Sequence, residues 1–365
     1  MTEELDLGKN PNCTPRPDEP RRRKLASIQK ILSLEPIPEA DRIELARFES
    51  VGWNVVVKKG EFEVGQLCVY FEIDSILPQE EWCDFLANPH KPSKPRRLKT
   101  KRMRQQVSQG LCMPLDSIPE IKLLKGIEGL EPREGNDCTT ILSIQKWEPE
   151  LTVSTSGEAE GGFPPLISKT DEDRVQAYPR LLEEFRGKMV YPSVKIDGTS
   201  GTFLNAGGET KVCSRNMSLK DIEGNLYWRI FYENGIDKIF DDNPNIGIQG
   251  EVCGPGIQKN KMGYDKVQLR VFNVYDVSNT RWFDPEEMVE FCLYNKLITV
   301  PMLTPFIFDF KDVDELVEFA KGEYPNGHPR EGVVFRPAEG FFSQVLRGRA
   351  SFKVINVDFN IKTNE

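Results

Sequence analysis

The chain has 365 residues, more than one hydrophobic core usually organises, so two domains are expected. Hydrophobic residues at 38% and aromatics at 10% suffice for packed cores, and 29% charged residues suit a hydrated surface, which excludes a wholly disordered chain. The net charge of −9 excludes a uniformly basic coat, so any nucleic-acid binding has to come from a local patch.

The opening residues, MTEELDLGKN, lack the basic start and apolar run of a signal peptide, and no stretch is apolar for long enough to span a bilayer. An intracellular protein, cytoplasmic or nuclear, with no membrane partner is expected. The eight cysteines are scattered without a CxxC pair, and the only histidines are His90 and His328, so no zinc-site spacing exists. Free, mostly buried thiols are expected instead.

Residues 1–23 are rich in Pro, Asn and charge and end in Arg21, Arg22 and Arg23, the composition of a disordered arm. From Lys24 the pattern turns β-like. Two β-rich runs, Trp53 to Val57 and Leu67 to Ile73, flank a glycine-punctuated turn, and short strands continue to about Trp147 without a long helical pattern. A small barrel of the OB kind over residues 24–147 follows. Within it, KPSKPRRLKTKRMRQQVSQG holds Lys91, Lys94, Arg96, Arg97, Lys99, Lys101, Arg102 and Arg104 with no acidic residue. Such a run is either a solvated loop or the electrostatic footprint of a phosphate backbone; Arg96, Arg97, Lys99, Lys101, Arg102 and Arg104 are taken as RNA-binding candidates. Residues 148–166 are rich in Gly, Ser, Pro and Glu, the composition of a linker. A second unit over 167–365 opens with a helix in YPRLLEEFRGK and continues as strands and loops.

Chemistry concentrates in VKIDGTSGTF, residues 194–203. The apolar lead-in places Lys195 at a strand end, and Gly198 and Gly201 permit close backbone approach to a ligand. A lysine becomes a nucleophile when surrounding cations or exclusion of water lower its pKa, and Lys195 is expected to attack phosphorus in that state. KxDG alone arises by chance in on the order of one chain in ten, and a surface lysine before a turn is the alternative.

Four further motifs follow it in order: CSRNMSL (213–219), IQGEVCGPGIQ (248–258), LRVFNVYDV (269–277) and REGVVFRP (330–337), with ASFKVIN (350–356) closing the series. The series resembles the collinear motifs of the covalent nucleotidyltransferases, the superfamily of RNA ligases, DNA ligases and mRNA capping enzymes. With the upstream KTDEDRVQ (169–176) and the OB-like first unit, it is most similar to RNA ligases of the Deinococcus and Naegleria type. The resemblance implies an α+β chain: an N-terminal OB-fold β-barrel and a C-terminal nucleotidyltransferase domain of antiparallel sheets with flanking helices.

It also implies roles. Glu251, read as lying in a loop between Gly250 and Gly254, meets the ribose of ATP, and Phe272 stacks on adenine unless it is simply core. Arg215 and Asn216 suit phosphate binding, Arg174 meets the triphosphate, and Lys353 binds the α-phosphate. Asp197, Glu251 and Glu331 face a magnesium or manganese ion, mainly through water. Family members often pair two basic residues in the last motif, whereas Ser351 sits two before Lys353, which leaves Arg347 or Arg349 to supply the second charge. The expected function is ATP-dependent joining of RNA 3′-OH and 5′-phosphate ends, at a nicked duplex and in RNA repair, by a monomer that carries a lysyl-AMP on Lys195. The competing readings are a GTP-using capping enzyme, a DNA ligase, and a non-catalytic RNA-binding protein with a relic pocket. DNA ligases and capping enzymes usually continue into a further OB domain, for which the residues after the last motif leave no room.

Overall fold

The computed structural model describes residues 23–87, 94–104, 106–147 and 158–363. Residues 1–22 of the expected arm, Lys91 of the basic run and residues 148–157 of the expected linker lie outside the described residues. The chain divides into two compact units, one of residues 1–149 with 176–179 and 363–365, the other of 150–175 with 180–362.

The first unit is built on β1 (Ala26–Pro36), β2 (Ile43–Phe48), β3 (Val55–Lys58), β4 (Leu67–Phe71) and, after β5 (Ser75–Leu77), β6 (Arg96–Arg97), β7 (Lys101–Met103) and β8 (Gln106–Ser108), on β9 (Leu111–Pro114). The main sheet runs β3-β2-β1-β4-β9. Its curvature comes from β1, whose first half pairs with β4 and whose second half pairs with β2, the register shifting between Ile31 and Ser33. A bulge bends a strand and sharpens its twist, so one strand serves two sides of a barrel. The remaining gap is bridged where Gln109 N donates to Asn54 O at 2.8 Å and Val56 N to Ser108 Oγ at 3.0 Å. This is the OB-fold. Two buried clusters fill it, one around Trp53, Ile31 and Tyr70, the other around Phe71, Ile28 and Ile121. Arg23, which composition groups with the arm, is held to the barrel by a 2.7 Å pair with the buried Glu72. The short helix α1 (Pro119–Leu124) caps the unit, and β10 (Gln145–Lys146) closes a small sheet on β5.

The second unit holds two sheets. The larger contains β11 (Ala159–Gly162), β14 (Thr199–Ala206), β15 (Glu209–Cys213), β16 (Met217–Leu219), β17 (Asn245–Cys253), β18 (Gln268–Asp276) and β19 (Arg281–Trp282). Their order is β11-β16-β15-β14-β17-β18-β19. The strand β11 corrects the linker reading for residues 159–162: Glu160 accepts from Ser218 at 3.0 Å and ion-pairs with Lys211 at 3.3 Å, so a glycine-rich edge is held by cross-strand contacts that composition does not reveal. The helix expected near residue 181 is α2 (Leu181–Phe185), a single turn. Helices α3 (Leu226–Glu233) and α4 (Ile236–Asp242) cover the larger sheet, burying Ile230, Phe231, Ile236 and Phe240 against Phe203, Val212 and Ile248. Asn225 starts α3 by accepting from the backbone of Tyr227 and Trp228. Helix α5 (Pro285–Tyr294) begins with a capping box of Asp284 and Glu287.

The smaller sheet comprises β12 (Asp173–Arg174), β13 (Met189–Lys195), β20 (Phe306–Ile307), β21 (Gly332–Pro337) and β24 (Phe352–Ile355), in the order β12-β24-β21-β13-β20. Phe185, Phe308, Phe335 and Phe352 pack beneath it, each fully buried, with Phe335 and Phe352 stacked at 5.2 Å. A hairpin of β22 (Phe342–Ser343) and β23 (Gly348–Arg349) lies between β21 and β24 in the chain. Helix α6 (Val313–Ala320) buries Val313, Leu316 and Ala320. The seven described cysteines are free and buried, as expected.

Candidate active site

The sheet order brings distant motifs to one place. Lys195 ends β13 opposite Gly332, the first residue of β21, so Glu331 arrives beside it, and the Glu331 carboxylate lies 2.7 Å from Lys195 Nζ. Glycine is required at 332, since a Cβ there would sit 2.2 Å from Val354 O on β24. Lys353 stands on β24 next to β21, and β12 runs parallel to β24 with Arg174 in register with Lys353. Adjacent strands therefore carry Arg174, Lys353, Glu331 and Lys195.

The carboxylates come from the other sheet and the turn after β13. A Cβ on Gly198 would meet Val252 O at 2.4 Å and Glu251 Cγ at 2.8 Å, so its absence lets the Asp197 turn lie flat on β17. Glu251 is in the body of β17, opposite Ser200, rather than in the loop expected from its neighbouring glycines. Gly250 serves close strand packing there, its would-be Cβ 2.8 Å from Arg270 O, and only Gly254, at φ +132°, marks the turn.

These charges set one another's protonation. Burial alone would lower the Lys195 pKa, but Glu331, Glu251 and Asp197 outweigh it, and the ammonium is held above its ordinary range. The expectation of a lysine depressed by its surroundings is thus corrected: the nearest charges are acids. Burial pushes Glu251 up to about 8, with Glu331 and Asp197 adding to it and Lys195 opposing. Lys353 behaves oppositely; burial, then Arg174 and Lys195, bring it down to about 7.

Three contributors were not legible in the motifs. Lys261 reaches Asp197 at 3.0 Å from a loop in which Gln258, Lys259 and Asn260 all have positive φ, and it also lies over the Phe359 ring. Tyr324 donates from its hydroxyl to Lys195 O at 2.9 Å and accepts from Glu331 N at 3.1 Å, tying the ends of β13 and β21 together. Asn356 donates to Arg330 O at 2.9 Å, fixing the residue before Glu331. The lysine-and-glycine-rich stretch after Cys253 was the one visible signal for Lys261.

Arg215 and Asn216 form the β15–β16 turn and clasp the segment before β12, Arg215 to Asp171 at 2.6 Å and Asn216 accepting from Lys169 at 3.1 Å. Phe272 lies within β18, beside a register shift at Gln249 and Gly250, and is half-buried against the cluster containing Val194 and Ile196. Among the described residues no three His, Cys, Asp or Glu groups form a ready cation cage. Three carboxylates converging on Lys195, one pushed up by burial and by crowding with other acids, fit a divalent cation that keeps much of its water.

In the first unit the basic run separates into two sets. Arg96 ion-pairs with Asp84 at 2.6 Å, and Arg97 with Asp74 at 2.7 Å while stacking 3.4 Å from the Trp147 ring centre. Both are mostly covered and hold β6 in place. Lys101, Arg102 and Arg104 are exposed on the β7–β8 hairpin, and Lys99 is half-buried before it.

An OB barrel joined in sequence to a two-sheet domain, with a lysine between carboxylates and a second lysine, defines a class: a polynucleotide ligase. Residues 25–115 match the model of an OB-fold domain and residues 188–355 that of RNA ligase. A Naegleria gruberi RNA ligase with pyrophosphate superposes with a TM-score of 0.80 at 33% identity over 93% of this chain and 98% of that one. A lysine-to-alanine variant of that ligase with ATP and Mn gives a TM-score of 0.81 at 32% identity over 92% and 98%. Its form with a glutamate replaced, with AMP and Mn, gives 0.80 at 33% over 92% and 98%. No curated protein sequence matches the chain significantly. The chain belongs to the ATP-dependent RNA ligase family, in the type with an N-terminal OB domain seen in Naegleria.

Proposed function

We propose that this enzyme joins an RNA 3′-OH to a 5′-phosphate, through an AMP carried on Lys195, and that it acts in RNA repair at nicks in duplex, as a monomer. The observation that carries the reading is the Lys195–Glu331 pair at 2.7 Å with Lys353 on the adjoining strand. The Naegleria enzymes with ATP or AMP and Mn support ATP and a divalent metal, Mg2+ or Mn2+, as ligands of this chain.

Lys195 Nζ gives its lone pair to the α-phosphorus, an N–P bond forms, the bond from the α-phosphorus to the bridging oxygen breaks and pyrophosphate leaves. The RNA 5′-phosphate oxygen then attacks the same phosphorus and releases Lys195. The RNA 3′-OH attacks the 5′-phosphate phosphorus, and AMP leaves. What a divalent cation supplies at Asp197, Glu251 and Glu331 is neutralisation of carboxylate and phosphate charge. Burial lowers the Lys195 pKa and Glu331, Glu251 and Asp197 raise it, so neutralising those carboxylates would favour loss of its proton. Arg174, Arg215 and Lys353 hold phosphate oxygens, Asn216 orients them, Glu251 accepts from the ribose, and Phe272 stacks on the base. On the first unit Lys99, Lys101, Arg102 and Arg104 bind the RNA backbone, while Arg96 and Arg97 shape the strand that presents them.

Lys195→Ala and Lys195→Arg test this together. Both abolish labelled-AMP transfer from ATP to protein, the first by removing the nucleophile, the second because a guanidinium stays protonated. A labelled adduct on Lys195→Ala overturns the assignment.

A further inference from the structure

A cavity of about 180 Å³ opens between the segment of residues 168–173, β18, β19 and the chain leading into β24. Its walls include Asn273, Trp282, Arg349 and Ser351 together with the acids Asp171, Glu172 and Asp173, of which Asp171 is ion-paired with Arg215 and Glu172 with Arg336. None of these has a part in the transfer of AMP described above.

The lining is polar and unequally satisfied. Arg349 donates to Asn273 Oδ1 at 2.8 Å and its guanidinium lies 4.9 Å from the Trp282 ring centre. Asn273 in turn donates to the fully buried Gln249 at 3.0 Å, and Gln249 donates to Ser168 O at 2.8 Å, so the guanidinium is held by a fixed chain. Among the described residues no carboxylate is ion-paired with Arg349; of the two acids near it, Glu172 is bound at 2.9 Å to Arg336 and Asp284 is engaged in the capping box of α5. Burial and the positive Arg336 push Arg349 down to about 9, the sign of a cation short of counter-charge. Ser351 is 5% exposed and its hydroxyl has no hydrogen-bond partner among the described residues. A buried hydroxyl without a partner is costly to keep, and a cation facing the same space makes an oxyanion the group that relieves both. Arg347, in contrast, is exposed at the β22–β23 turn. Ser351 lies immediately before β24, two residues ahead of Lys353.

We propose that this cavity is a second anion site of the ligase, in which Arg349 and the Ser351 hydroxyl bind a phosphate group, with Asn273 and Trp282 holding the guanidinium in position. The proposal rests on the ligase reading. The phosphate comes either from the pyrophosphate end of ATP or from the RNA 5′-end, and the two sources separate by experiment.

Full-length wild type, Arg349→Gln and Ser351→Ala are compared in two arms: binding of inorganic pyrophosphate with the divalent metal, and preference for nicked RNA bearing a 5′-phosphate over a 5′-hydroxyl. Arg349→Gln is expected to lose roughly ten- to a hundredfold in one arm, the range of a charge-assisted bond, and Ser351→Ala about two- to tenfold in the same arm. Ser351→Ala breaks no hydrogen bond within the protein, so it reports on the anion even if Arg349→Gln disturbs folding. A drop in the pyrophosphate arm assigns the ATP end, and a drop in the RNA arm the 5′-phosphate. Wild-type behaviour of Ser351→Ala in both arms overturns the proposal, whatever Arg349→Gln does. AMP transfer to Lys195 at saturating ATP in wild type is measured alongside; its absence sinks the ligase reading itself, whereas its presence with unchanged anion binding in the variants sinks only the second site.

Discussion

Lys353 is an enclosed base with no acid within ion-pair distance among the described residues, and that makes its charge costly to the fold. Its pKa falls from 10.5 to about 7 on folding. Between those values the unfolded chain binds more protons than the folded one, so Lys353 makes stability rise with pH across that window and destabilises most below it. Lys353→Met should therefore raise thermal stability at pH 7 by roughly 1–4 kcal/mol, with the gain fading toward pH 10, while AMP transfer is lost. Calorimetric melting at the two pH values checks it; a destabilised variant at pH 7 would show that the lysine is compensated in a way its surroundings do not suggest. The same comparison separates a charge kept for substrate from one kept for folding. Lys195 differs in that its three acidic neighbours stabilise its ammonium.

At the scale of elements, two glycines, Gly198 and Gly332, decide whether the motifs meet. Gly198→Ala places a methyl 2.4 Å from a backbone oxygen of β17, and because backbone cannot swing aside as a side-chain tip can, the Asp197 turn must lift. AMP transfer should drop at least about tenfold, as expected for a misplacement on the order of 1 Å, and labelled-ATP transfer rates measure it. The β7–β8 hairpin makes a different forecast. Charge reversal at Lys101 and Arg104 should leave melting unchanged and flatten the slope of RNA affinity against log salt by roughly 1 for each phosphate no longer neutralised. Reversal at Arg96 and Arg97 should instead lower the melting temperature, since it breaks the pairs to Asp84 and Asp74. Salt titrations with melting curves on both double variants distinguish a binding hairpin from a structural one.

For the whole molecule, the groups proposed for AMP transfer all belong to the unit of residues 150–175 and 180–362. A fragment starting at Glu150 should still transfer AMP to itself yet seal a nick at least about a hundredfold more slowly, because it lacks the exposed cations of the β7–β8 hairpin. Starting instead at Ile167 removes β11 and with it Glu160 and Phe163, so that shorter fragment should melt lower. Parallel adenylylation, sealing and melting assays check both. No helix among the described residues is long and apolar enough to cross a membrane.

Strand periodicity pointed to a small OB-like barrel before residue 148, and the order of short motifs around Lys195, Glu251, Glu331 and Lys353 carried the family resemblance that implied a nucleotidyltransferase domain after it. Such features are local: a strand alternates within a few residues, and a motif keeps its spacing wherever it folds. What only the tertiary structure decided is whatever depends on which groups become neighbours across long separations. The Lys195 pKa is raised rather than lowered because Glu331, far along the chain, ends beside it with Glu251 and Asp197. Arg96 and Arg97 are paired with acids from elsewhere in the chain, and Lys261, Tyr324 and Arg349 gained importance through partners that no spacing rule connects. Burial and pairing set the energy of a charge, and both are properties of the assembled fold.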